Sequence, residues 1–252
     1  SDDPNTLLKN NREKLYAQPE CTLPAQDVCI EAQHIAFSVR DRCILNDVSV
    51  AIRFGERIAL LGENGCGKTT LLRILARLTK PTGGRIVHNI LPGDKKKKAG
   101  SAWFKKVGFV YQNPSYQLFM PTLLEEIAYQ AVSPQKAQEM IERFGLAGLE
   151  KRHPHSLSEG QKRRAGIAAV MAGEPQVVLL DEPTVGQDYD NLKQTVETLN
   201  DLHRQTGNTM ITVTHDFRCA AALADRVLIL ENGQITESGT SELADAYFKR
   251  NI

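Results

Sequence analysis

Apolar residues recur along this chain with two different spacings. CIEAQHIAFSV, DVSVAI, RIALLG and RIVH are short alternating or continuous apolar runs, and they predict β-strands. RIALLG ends in a glycine-rich turn, and TTLLRILARL follows with the three- and four-residue spacing of a helix. Helical spacing returns from Pro121 to about Gly148, broken at Ser133-Pro134, and again in RRAGIAAVMAG. VVLLDE and TMITVTH are continuous apolar runs, the pattern of parallel strands covered on both faces. Between them, KQTVETLNDLHRQTG predicts an amphipathic helix ended by Gly207. RVLILENGQITESG predicts a hairpin around Asn232-Gly233. No internal repeat interrupts this order.

Strands alternating with helices predict an α/β fold with a mainly parallel sheet. The helical stretch from about 121 to 172 breaks the alternation and predicts an inserted helical subdomain. Residues 1–27 are polar and hold three prolines, and are expected to be an N-terminal extension or linker ahead of a domain over 28–252. The chain opens on Ser1 rather than Met, as a piece cut from a longer chain would. Asp94 to Lys106, with four consecutive lysines at 95–98, is expected to be a solvated basic loop.

Composition narrows the function. The 252 residues are 41% hydrophobic, enough for a real core. Lys and Arg number 31 against 30 Asp and Glu, a net charge of +1, so no global field favours nucleic acid. No apolar stretch approaches the roughly 20 residues that span a bilayer, and no secretory leader is expected. Work at a membrane would therefore go through docking. The five cysteines contain no CxxC pair, which argues against a zinc site or a disulfide framework.

The chemistry starts at GENGCGKTT, residues 62–70. Gly62, Gly67, Lys68 and Thr69 fit G-x-x-x-x-G-K-[ST], with an apolar strand before and a helix after. Glycines let successive backbone N–H groups line a concave anion site, and the helix N-terminus adds partial positive charge. Glu63, Asn64, Gly65, Cys66 and Thr70 complete the loop. Lys68 suits the β- and γ-phosphates, and the Thr69 hydroxyl suits Mg²⁺. VVLLDEP supplies a second signal. Asp181 at the strand mouth would hold Mg²⁺, and Glu182 would take a proton from an attacking water. Kinases and GTPases share the loop, so these two motifs leave the reaction class open.

Further motifs follow in order: Gln112 in VYQNP, LSEGQ at 157–161, DEPTVGQD at 181–188 and His215 in VTHD. With GENGCGKTT they resemble the ATP-binding cassette ATPases over roughly residues 28–242. YQNPSYQLFMPTLLEEIA and DEPTVGQD are similar to the energy-coupling factor importers of vitamins and transition-metal ions. The resemblance implies a P-loop NTPase core, an N-terminal antiparallel β subdomain and an inserted helical subdomain. It also implies ATP and Mg²⁺ as ligands and two cassettes paired head to tail. Ser158, Gly160 and Gln161 would then act on the partner's nucleotide, with Asp188 at the dimer contact. His215 would contact the γ-phosphate, and Gln112 would touch Mg²⁺ and water. Transmembrane subunits would dock near Gln112 to Glu126, at the cytoplasmic face of the membrane.

Three positions depart from the family pattern. Val39 stands where an aromatic commonly stacks on adenine, and nearby Phe37 is expected to pack in the core. Cys66 replaces a common Ser, and a helix N-terminus lowers a thiol pKa. Glu159 puts a carboxylate inside the signature. Ser158 and Gln161 satisfy a capping box, so Glu159 is expected in the first helical turn, pointing to solvent. Two other functions are compatible with a cassette, a soluble protein acting on ribosomes or DNA and a weakly hydrolysing regulator. Glu182 and His215 argue against the second.

Overall fold

Three of the four early apolar runs pair with one another, while RIALLG joins the later strands. In the computed structural model, which describes residues 27–91 and 100–250, β1 (Val28–Val39) lies between β2 (Arg42–Arg53) and β4 (Gly83–His88). Both pairings are antiparallel, giving a three-stranded sheet. The second sheet has six strands in the order β5-β6-β7-β3-β8-β9. These are β5 (Val107–Val110), β6 (Val177–Asp181), β7 (Thr209–Val213), β3 (Arg57–Leu61), β8 (Arg226–Glu231) and β9 (Gln234–Gly239). All its pairs are parallel except the β8–β9 hairpin. That hairpin turns through Asn232 and Gly233, both at positive φ as a two-residue turn requires.

Strand alternation divides the apolar residues between layers. Along β6, Val177 and Leu179 join the core under the antiparallel sheet, while Val178 and Leu180 join the helical core. Every β6 and β7 residue is buried, which explains their unbroken apolar runs.

Helix α1 (Lys68–Leu75) follows the glycine-rich turn. α3 (Leu123–Gln130), α4 (Pro134–Arg143) and α5 (Glu159–Met171) contribute to one apolar cluster through Leu123, Ile127, Met140, Ile141, Ile167 and Ala168. The break at Ser133-Pro134 is a helix start: Ser133 Oγ accepts from the Lys136 N–H at 3.1 Å, with proline in the first turn. α6 (Tyr189–Thr206) ends at Gly207, which takes the left-handed conformation. α7 (Phe217–Leu223) and α8 (Ser241–Arg250) cover the far face of β3 and β8 through a smaller cluster containing Ala220 and Ala244.

One expectation is corrected. The stretch read as a solvated loop from Asp94 to Lys106 contains a short helix, α2 (Ser101–Phe104), and a buried anchor. Trp103 is 1% exposed, its indole N–H donates to Ala76 O at 3.0 Å, and the Arg77 guanidinium lies 3.9 Å from its ring centroid. The high lysine content hid one aromatic with a large apolar area to bury. The lysine run at 95–98 and most of the expected N-terminal extension lie outside the described residues.

Removing Trp103 should therefore cost what a buried aromatic costs. Trp103→Ala is expected to lower the unfolding free energy by about 3–5 kcal/mol in urea titration. A loss under about 1 kcal/mol would restore the loop reading.

Candidate functional site

The turn from β3 into α1 is shaped by glycines that have no room for a side chain. Gly62 sits at φ 149, and a Cβ there would lie 2.1 Å from Leu230 O. Gly67 sits at φ 109, and its Cβ would lie 2.8 Å from Leu45 Cδ2 and 3.0 Å from Ile44 O. The loop is thus wedged between β8 and β2. Gly67 caps α1 in the left-handed region with no side-chain cap, so no side chain competes for the N–H groups of the first turn. Lys68 is buried, and its ammonium donates to Gly62 O at 2.7 Å and Glu63 O at 2.8 Å. Burial lowers its pKa.

Two strand ends bring the acidic and imidazole groups to the same place. Asp181 is the last residue of β6, and its Oδ1 accepts from the Thr69 hydroxyl at 3.1 Å. Burial raises its pKa, against the Thr69 hydrogen bond and the charges of Arg73 and Lys68. Glu182 follows at φ 52, a region costly for a residue with a Cβ. Its N–H donates to Val213 O at 2.9 Å. Its carboxylate Oε2 accepts from the His215 N–H at 3.2 Å, while Oε1 lies 3.2 Å from His215 Nε2 without hydrogen-bond geometry. Burial pushes the Glu182 pKa up to about 7. His215 is only partly buried, and desolvation together with Lys68 lowers its pKa, favouring the neutral imidazole.

Lys68, Glu182 and His215 share one cleft of about 310 Å³, and Asp181 lies behind its lining, bonded to Thr69. Asn64, Gly65, Gly67, Lys68, Thr69, Thr70, Gln112, Glu182 and His215 line it. Gln112 reaches it from just past β5, whose end is held by the Tyr111 N–H donating to Gln117 Oε1 at 2.9 Å. Sequence reasoning missed Arg42 and Ile44, which also line the cleft. They arrive on β2, and only the pairing of β1 with β2 carries them there; no local motif marks them. Phe37 packs against the core as expected, and Val39 is exposed.

Ser158, Gly160, Gln161 and Asp188 do not line this cleft. Ser158 begins α5 with both halves of the expected capping box: its Oγ accepts from the Gln161 N–H at 3.3 Å, and its N–H donates to Gln161 Oε1 at 3.0 Å. Glu159 points to solvent with its side chain 69% exposed, paired with Lys162 at 2.8 Å. Asp188 caps α6 and accepts from the Asn191 N–H at 2.9 Å, bonds that hold its carboxyl below the usual range.

The Cys66 expectation needs correction. Burial pushes its thiol above the ordinary range, outweighing the opposing pull of Lys68. Its Sγ would lie 2.9 Å from a Cβ at Gly62, so the sulfur is tucked behind the loop rather than held in the open.

The cleft offers an anion a lysine and a helix N-terminus, and sets a carboxylate of near-neutral pKa beside an imidazole whose pKa is lowered. That combination suits transfer of a phosphoryl group to water. The family model for ABC transporter matches residues 45–185. The energy-coupling factor transporter ATP-binding protein EcfA2 of Bacillus licheniformis is 41% identical over 211 residues, covering 79% of this chain and 73% of that protein. Among solved structures, cbiO1 from Clostridium perfringens, part of the ABC transporter complex cbiONQ, aligns with TM-score 0.73 at 27% identity, over 89% of this chain and 93% of the other. A dimeric ATP-binding cassette in a post-hydrolysis state, bound to ADP and Pi, aligns with TM-score 0.73 at 25% identity, over 84% of this chain and 98% of the other.

The environment of Cys66 makes a measurable demand. In a Cys21→Ser, Cys43→Ser background, maleimide should label Cys66 slowly near pH 7 and faster as pH rises towards its elevated pKa, with ATP slowing the reaction. Fast labelling at neutral pH, untouched by ATP, would contradict this placement.

Proposed function

Because the chain belongs to the ABC transporter ATP-binding family, we propose that it is the ATP-hydrolysing subunit of a membrane importer of the energy-coupling factor type. The observation that carries this is the convergence of Lys68, Thr69, Glu182, Gln112 and His215 on one cleft, with Asp181 bonded to Thr69 behind its lining, while the signature residues lie elsewhere on the chain. In this reading the unit over 28–252 is the cassette, with its helical subdomain at about 121–172.

The nucleoside triphosphate lies along the loop. N–H groups of Asn64 to Thr70 hold its β- and γ-phosphate oxygens, and Lys68 trades its carbonyl partners for them. The Thr69 hydroxyl and the Asp181 carboxylate face each other at 3.1 Å, an oxygen donor pair suited to Mg²⁺, which needs only one or two protein carboxylates beside phosphate and water. Gln112 stands on the same cleft as a further oxygen donor. When bound, Mg²⁺ neutralises charge on the phosphate oxygens.

Glu182 is the general base. A carboxylate with pKa about 7 takes a proton more readily than an exposed one, yet is substantially ionised at neutral pH. The water oxygen bonds to the γ-phosphorus as the bond to the bridging oxygen of ADP breaks, and a water proton passes to Glu182. Neutral His215 orients that water and contacts the γ-phosphate.

The open side of the cleft is completed by a second cassette, head to tail. Ser158, Gly160 and Gln161 of each copy approach the nucleotide of the other, where the start of α5 offers donors. Glu159, turned to solvent beside Lys162, leaves that approach free. Asp188 lies at the contact between copies, flanked by exposed Val185 and Tyr189.

Transmembrane subunits dock beside Gln112 to Glu126. Tyr116 and Phe119 are 64% and 73% exposed there, apolar area that a partner could cover. Buried Glu126 accepts from the Phe119 and Met120 N–H groups at 2.5 and 2.7 Å and fixes that loop. No helix among the described residues is long and apolar enough to cross a membrane, which fits peripheral attachment at the cytoplasmic face. The near-balanced charge gives no support for a nucleic-acid partner.

Glu182→Gln tests the assignment. Its steady-state ATPase kcat should fall about 10²- to 10⁴-fold with little change in nucleotide affinity. Turnover at the wild-type rate would remove Glu182 from the reaction.

A further inference from the structure

Helix α5 carries two consecutive arginines on its buried side, and their partners differ. Arg164 Nε donates to Phe144 O at 2.9 Å, and its Nη1 reaches Asn191 Oδ1. Those bonds join α5 to the helical layer and to the start of α6. Arg163 turns instead towards the catalytic strand end: its Nη1 donates to the main-chain carbonyl of Glu182 at 2.7 Å. The side chain is buried at 9% exposure, and its Nε has no hydrogen-bond partner. A buried guanidinium with an unused donor is an expensive way to hold a helix, because an apolar side chain of similar length would pack without desolvating a charge. The bond it does make falls on a non-glycine residue held at positive φ, Glu182 at φ 52.

Glu182 is held from two sides. The end of β7 takes its N–H through Val213 O at 2.9 Å, and the His215 N–H takes its carboxylate at 3.2 Å. Arg163 supplies the remaining hold, on the carbonyl, and it comes from the helix that Ser158 starts. We propose that Arg163 is a positioning residue for Glu182: its hydrogen bond to the Glu182 carbonyl aims the carboxylate and ties that aim to the placement of the signature helix α5. This rests on the composite-site reading above. Ser158 to Gln161 meet the nucleotide of the second cassette, and Arg163 lies on the next turn of the same continuous helix. A displacement of α5 on engaging that nucleotide is therefore passed to the base that serves the chain's own nucleotide. Hydrolysis in one cleft becomes conditional on closure at the other.

An anchoring role alone and a positioning role separate in kinetics. Losing an anchor loosens the fold and weakens nucleotide binding and closure. Losing a positioning bond leaves binding and closure intact and slows the chemical step. The purified full chain is to be compared as wild type, Arg163→Met and Arg163→Lys for kcat, KM, thermal midpoint and the lifetime of the ATP-bound dimer in Mg-ATP. Arg163→Met keeps the unbranched apolar stem of the side chain and removes the donor. Its kcat should fall about 10- to 100-fold, the scale of a small misplacement at a reacting group. Its KM for ATP should stay within about threefold of wild type, and its ATP-bound dimer should accumulate although Glu182 is intact. Arg163→Lys, which restores a charged donor, should recover most of the rate.

A wild-type kcat in Arg163→Met would overturn the proposal. So would a rate loss matched by a raised KM and a vanished dimer, or a lysine variant no better than methionine. Should Arg163→Met not fold, Arg163→Leu, which also lacks a donor, carries the same expectations. Glu182→Gln separates the two levels of argument. If it forms no dimer with ATP, the composite-site reading fails; if it dimerises while Arg163→Met hydrolyses normally, only the role of Arg163 fails.

Discussion

The turn between β3 and α1 is the constraint on which the rest depends. Gly62 has Leu230 O where a Cβ would be, and Gly67 has Leu45 and Ile44. The loop can pass between two strands only as bare backbone, and that same bareness presents N–H groups to an anion. Because Leu45 belongs to β2 and Leu230 to β8, both sheets help fix the loop. Parallel strands then do the rest: β3, β6 and β7 all end on the side where the loop begins, so Asp181, Glu182 and His215 gather there without any local motif joining them.

Burial sets the chemistry of that edge. Desolvation is the first cause of the raised pKa of Asp181 and Glu182 and of the lowered pKa of Lys68 and His215. The charged form of each of these four groups is thus held at a disadvantage before a highly charged substrate arrives. A triphosphate that brings negative oxygens to Lys68 relieves part of that cost. The neighbouring signature helix behaves differently. Its capping box is satisfied within one chain, and its first turn faces solvent through Ser158 and Glu159. The cleft and the start of the signature helix lie apart on the chain, as the proposed pairing with a second cassette requires.

Much of this was legible in the sequence because local chemistry dictated it. The glycine spacing from Gly62 to Gly67, the apolar run into Asp181 and the Ser158–Gln161 box each follow from the residues involved and their near neighbours. Glu159 could be aimed at solvent from helix geometry and its repulsion from phosphate. What escaped depended on distant partners. β5 has four residues, one of them Gly108, too short for a periodic signal. Trp103 was masked by the lysines before it, although it buries against Ala76 and Arg77. Arg42 enters the cleft only through the pairing of β1 with β2. Cys66 was expected to be acidified by the helix end, but the depth of its burial, which sequence does not report, reverses the direction. Arg163 carried no signal, since a basic residue on a helix is ordinarily solvated.

The central claim is that a nucleotide bound by this loop is enclosed by the signature helix of another cassette. A photo-reactive residue at position 158 in a hydrolysis-deficient chain, irradiated in the native membrane assembly with and without Mg-ATP, tests it most directly. The account predicts an adduct that forms only with nucleotide and maps by mass spectrometry to the phosphate loop of a second cassette. Adducts confined to the same chain, or identical with and without ATP, would contradict it.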